Sequence, residues 1–184
     1  MLADVEEKLR RGNQVLFDSS SPCLWEFCRS MEKMHRKNRI LWALECAEEM
    51  VAEWEQAYPQ ELRPRQALWE CRRWAAGEIK MPQAKAAILA CHAAAKDLQD
   101  PWAAAMCHAI GQGVSTIHVG RHALGIPIYY LTALVRRNPE DYESRVLGQV
   151  ARYLTRMDDW ERADISGYTW AKFLQKEEKI PGEA

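Results

Sequence analysis

The sequence predicts an all-α fold: a single domain of about seven to eight mostly antiparallel helices, with a long central helix near residues 101–124. Three observations carry that expectation. Apolar residues return every three or four positions, and nowhere do they alternate with period two for long enough to make a strand. Proline stands just inside the expected helix starts and glycine just past the ends, which matches the donors missing at a helix start and the left-handed turn wanted at its end. The connections are short, so neighbouring helices fold back on one another.

Residues 2–11 read as a short charged helix stopped by Gly12. "DSSSP" then offers capping hydroxyls and Pro22 at a first helical position, for a helix running to about Arg36. In "RILWALECAEEMVAEWEQA", Ile40, Leu44, Ala47, Val51 and Trp54 share one face and the glutamates take the other. "YPQELRP" ends it. Pro64 opens the next helix, with Leu68, Cys71 and Trp74 or Ala75 inward and Gly77 closing it. Pro82 begins "MPQAKAAILACHAAAKDL", and Asp100 with Pro101 behind it begins the long helix, which Gly125 and Pro127 end. A helix follows from about Ile128 to Arg137. After "NPED" a last one carries Tyr142, Val146, Val150, Tyr153 and Met157 in register. Beyond Met157 the period weakens, and "QKEEKIPGEA" reads as a solvated, frayed tail. The resulting division is a helical extension packed on the core (1–38), the helical core (39–157) and a helical or frayed tail (158–184).

With 184 residues, 48% hydrophobic and 28% charged, the chain can bury a substantial core. Its net charge of −1 offers no global basic field for nucleic acid or an anionic membrane. "MLADVEEKLRR" places acids before bases with no apolar run behind, unlike a signal or transit peptide. The most apolar stretch, Trp102 to Val119, is broken by Gln112, Ser115, Thr116 and His118, short of the roughly 20 apolar residues of a membrane span. The cysteines at 23, 28, 46, 71, 91 and 107 form no C-x-x-C pair and mostly fall on apolar stripes, as small hydrophobes do. No disulfide scaffold is expected, and the cytoplasm is the default location.

"HAIGQGVSTIHVGRHALG", residues 108–125, holds three histidines and four glycines. On a helical wheel Met106, Ile110, Gly113, Ile117 and Leu124 form one stripe, and Gly111, Ser115, His118, His122 and Gly125 a seam beside it. His118 and His122 stand one turn apart, the spacing at which two imidazoles can share a metal. No glutamate lies between them, however, and His108 is about 15 Å further along the axis. In a hairpin turning near Gln99, Cys91 and His92 lie level with Cys107 and His108. Adjacent residues diverge by about 100°, so the four do not converge on one ion. The favoured reading is hydrogen-bonded histidines in a crevice between close helices, with no catalytic residue, cofactor or metal assigned. His118, His122 and His108 remain the candidate ligands for the rival reading, a metal-binding protein or metal-dependent enzyme built on a histidine cluster in that crevice.

Arg63, Arg65, Arg72 and Arg73 form a basic cluster, and Glu48, Glu49, Glu53, Glu55 and Glu61 an acidic counterpart. Each is explained more simply as a solvated face than as a partner patch. Trp25, Trp42, Trp54, Trp69, Trp74 and Trp102 occupy or flank inward stripes, and an exposed one would be a binding anchor. There is no phosphate loop, nucleophile elbow or H-E-x-x-H, and Ser115 near His118 lacks an orienting acid.

From residue 39 onward the chain resembles the immunity proteins of bacterial polymorphic-toxin systems, in the family similar to the fifth immunity type. After the alanine-rich helix pair, Arg63, Pro64, Ala67 and Leu68, then Trp74, Ala75, Gly77, Glu78 and Ile79, match its second element. His108, Ala109, His118, Val119, His122 and Ala123 match the third. The resemblance covers about Asn38 to Leu134 and implies a non-catalytic protein that binds and neutralises a co-encoded toxin. It transfers no catalytic residue and leaves the partner-binding face unknown. Neither nucleic acid nor membrane is expected as a partner. A structural helical adaptor or a homodimer stays open, and sedimentation at several concentrations reads self-association.

Overall fold

A computed structural model describes residues 2–176. It holds α1 (Ala3–Arg10), α2 (Trp25–Lys33), α3 (Arg36–Ala57), α4 (Arg63–Ala76), α5 (Met81–Leu98), α6 (Pro101–Ser115), α7 (Gly125–Arg137) and α8 (Tyr142–Arg162). Short 3-10 turns lie at Pro22–Leu24, Gly120–Leu124 and Lys172–Leu174, and no strand occurs among the described residues. The all-α single domain of the sequence reading is therefore what forms.

α3 and α6 are the central helices, and composition explains why. Ala103, Ala105, Cys107, Ala109, Gly111 and Gly113 leave α6 thin, while Met106, Ile110 and Val114 make it apolar nearly all round. A thin apolar helix lets α3, α4, α5 and α7 all pack against it. On α3 the expected stripe of Ile40, Leu44, Ala47, Val51 and Trp54 is buried, but so are Leu41, Trp42, Ala43, Cys46 and Met50. Its glutamates are confined to the edges that remain. Trp42 joins Phe27 of α2 and Tyr153 of α8 in an aromatic cluster with ring centroids 5.5–5.9 Å apart.

Helix ends follow the expected chemistry in several places. Gly77 has φ +83°, and the N–H groups of Gly77 and Glu78 return to the carbonyls of Trp74 and Arg73, closing α4. Asp100 accepts a hydrogen bond from the Trp102 N–H at 2.9 Å, capping α6. All six cysteines are free. No helix among the described residues is long and apolar enough to cross a membrane.

The sequence reading is corrected at four places. The helix expected over 101–124 ends at Ser115 and resumes as the 3-10 turn at Gly120. The Ser115 and Thr116 hydroxyls bond back to the carbonyls of Gly111 and Gln112 at 2.6 and 3.1 Å, and Val119 is extended. Such back-bonding weakens a helix end, and the β-branched Thr116, Ile117 and Val119 do not restore it. α7 starts at Gly125 rather than 128, because Pro127 is tolerated within a first turn. The helix expected from Pro22 to Arg36 breaks at Met34 and His35, both extended. Glu161, far along the chain on α8, accepts the His35 N–H at 3.0 Å and also meets its ring.

The fourth correction is at the C-terminus. α8 continues past Met157 to Arg162, and the residues after it run back to α4. The Ala171 N–H donates to Ala75 O at 2.7 Å, Phe173 stacks on Trp74 at 5.2 Å, and Leu174 is fully buried. Most of the expected frayed tail, 177–184, lies outside the described residues. At the other end Leu2, Val5, Leu16 and Phe17 are buried, and the Leu16 N–H donates to Thr132 Oγ1 of α7 at 3.1 Å.

Candidate functional site

The α5–α6 hairpin turns at Gln99, the one non-glycine residue with positive φ (+50°) among those described. It brings His92 level with His108, as the count about the turn predicts, and their Nδ1 atoms lie 3.0 Å apart. At that distance one nitrogen carries the proton and the other accepts it. The His92 ring also fills the space beside Gly111: a β-carbon there would lie 2.3 Å from His92 Cε1. Tyr129 of α7 closes the other side, with its ring 5.2 Å from that of His108.

His122 enters the same crevice from the 3-10 turn. Its Nδ1 lies 2.7 Å from Gln112 Oε1, and because an amide oxygen only accepts, that nitrogen bears the proton. Burial pushes the pKa of His92, His108 and His122 below the ordinary value of 6.5. The neighbouring charges of His108 and His122 add to the effect at His92, Lys96 at His108, and His118 at His122. The crevice thus favours neutral imidazole, the form that exchanges hydrogen bonds with its neighbours.

His118 lies beyond the end of α6. With the helix ended at Ser115 it no longer shares a helical face with His122; it is exposed, its ring 5.9 Å from that of Trp74. The helical turn expected to join His118 and His122 is interrupted by the extended Val119. Cys91 turns to the core, where its thiol lies 3.5 Å from Cys107 O, while His92 turns to His108. The thiols and imidazoles form separate layers, because neighbouring residues on a helix diverge. Among the described residues, no three of His, Cys, Asp and Glu are grouped so as to hold a metal. The Ser115 hydroxyl is spent on Gly111 O.

The two charge clusters noted in the sequence meet each other. Arg65 pairs with Glu48 and Glu55, Arg72 with Glu48, and Arg63 with Glu61 and Asp97. From the far side of α3, Arg152 and Arg156 of α8 pair with Glu49 and Glu45, and Arg137 of α7 with Glu53. Apart from Arg63 with Glu61, two residues before it, no short-range pattern announces these pairs, since the partners lie on helices whose adjacency comes only from packing. The tryptophans divide. Trp42, Trp54, Trp74 and Trp102 are buried, so packing absorbs most of the six, while Trp25 is 61% and Trp69 55% exposed.

These features define an all-helical body whose crevice histidines and charged helix edges are engaged within the chain. The chain belongs to the family described as "Imm-5 like putative immunity protein", which matches residues 29–156, more than half its length. The match is wider than the motifs suggested and takes in part of α2 and α8 as far as Arg156. No curated protein and no solved structure matches the chain.

Proposed function

We propose that this protein is an immunity factor that binds a toxin encoded beside it, in the cytoplasm, and neutralises it by occlusion rather than by catalysis. Membership of the immunity family over residues 29–156 carries the reading. The crevice supports it. His92 and His108 are turned on each other and His122 on Gln112, so the rings serve as filler with polar tips. The direct test is co-expression with the adjacent toxin gene, which is expected to restore growth and to yield a stable complex on size exclusion. Failure of both overturns the proposal. Metal analysis of the purified protein is a second check. Stoichiometric zinc, iron or manganese, lost in a His108→Ala/His122→Ala double variant, would replace occlusion with a metal-dependent role.

A further inference from the structure

One face of α5 carries large apolar groups and cations that nothing else in the described chain answers. Met81, Lys85, Leu89, His92 and Lys96 fall within about 80° of arc on that helix. His92 fixes where the stripe looks: it meets His108 of α6, so the stripe borders the histidine crevice. The charge of Lys96 reaches His108, which puts that lysine on the same side. Met81 and Leu89 are 42% and 58% exposed, and Lys85 and Lys96 are exposed with them.

The charge around this stripe is one-sided. Residues 79–139, which build α5, α6 and α7, hold six lysines and arginines against two acids, in a chain whose net charge is −1. Both acids are occupied: Asp97 by Arg63 of α4, and Asp100 by the Trp102 N–H and the Tyr58 hydroxyl. Lys85 and Lys96 have no ion-pair partner among the described residues. The crevice beside them favours neutral imidazole and adds no negative charge. The exposed tryptophans, by contrast, are met within the chain. The Arg73 guanidinium lies 4.6 Å over Trp69 and pairs with Glu70 and Glu78, and Trp25 donates its Nε1–H to Ser20 O at 2.9 Å.

We infer that the toxin docks on this α5 stripe with an acidic element, packing an apolar side chain on Leu89 between carboxylates that meet Lys85 and Lys96. Charge complementarity selects the occupant, because an acidic surface supplies an attraction that no described residue of this chain already provides. At helical rise the two lysines stand about 16 Å apart along the axis, with Leu89 between them. One carboxylate does not bridge that span, so the partner presents at least two acids flanking an apolar group. The phosphates of a nucleic acid would answer the lysines and gain nothing from Met81 and Leu89. The inference deepens the immunity reading and rests on it.

The test is calorimetric titration with the purified, inactivated toxin domain encoded by the adjacent gene. Leu89→Gln is expected to weaken binding at least tenfold. Lys85→Glu and Lys96→Glu are each expected to weaken it about tenfold at low salt, an effect that shrinks as salt is added. Arg145→Glu makes the same charge change on an exposed position of α8 and is expected to bind like the unaltered protein. Urea midpoints verify that each variant is folded, and the two lysine variants serve if Leu89→Gln is not. Binding indifferent to all three α5 changes overturns the docking face while leaving the immunity reading intact. Equal weakening by Arg145→Glu reduces the effect to overall charge and overturns it too. Lysine-dependent binding of an RNA duplex that Leu89→Gln leaves unchanged would replace the protein partner by nucleic acid. No binding of the toxin domain by the unaltered protein overturns both readings.

Discussion

A β-carbon at residue 111 would press on the His92 ring, which His108 holds from the other side. Gly111→Ala would ordinarily add up to about 1 kcal/mol of helix propensity. Here overpacking is expected to win and destabilise the protein by about 1–3 kcal/mol. Urea unfolding checks the sign. In a His92→Ala background the same change should become neutral or stabilising, which a general backbone effect would not do. The crevice also sets a pH dependence. His92, His108 and His122 have folded pKa values below 6.5, so below that pH the unfolded chain binds more protons than the folded one. Their contribution to stability is complete above 6.5 and is lost as pH falls through the lowered values. Urea midpoints should drop as pH falls below 6.5, and drop less in His92→Gln. The carboxylates of Glu55 and Glu61, held below their ordinary 4.5 by Arg65 and Arg63, enter only at lower pH. The meeting of His92 with His108 was legible from counting about Gln99. The partnering of His122 with Gln112 was not, because it depends on a turn that the helical wheel smoothed away.

At the level of elements, helix starts were readable where a side chain does the work locally. Asp100 is the clearest case. It caps α6 and also accepts from the Tyr58 hydroxyl, whose pKa it helps push up to about 12. Asp100→Ala should cost about 0.5–2 kcal/mol by thermal unfolding. The end of α6 was misread because a run of apolar and small residues satisfies a wheel whether or not the backbone stays helical. The break before α3 is not legible locally, because the carboxylate that takes the His35 N–H, Glu161, comes from α8. Charged edges behave differently. Arg65 and Glu48 are each more than a third exposed, so solvent screens their pairing. Glu48→Ala should therefore change stability by less than about 1 kcal/mol, whereas truncating the enclosed Trp42 should cost about 3–5. A large loss at Glu48 would mean that the α3–α4 ion pairs act as a cooperative network.

Across the whole molecule, the segment after α8 returns to α4 and seals its end. Leu174 is its fully buried anchor, with Ala171 bonded to Ala75 and Phe173 stacked on Trp74. Leu174→Ala should cost about 2–5 kcal/mol in urea, and a change near zero would show that the segment adds nothing to the core. The helical class, the inward stripes of α3, α4 and α8, and the family resemblance were determined by the sequence alone. Periodicity and capping are local properties, written within a turn or two of each residue. Only the tertiary structure decided that the glutamates of α3 close on arginines of α4 and α8, that α6 ends before His118, and that Trp69 is left outside. Those outcomes depend on which helices become neighbours, and that is set by the summed burial of the whole chain rather than by any short stretch of it.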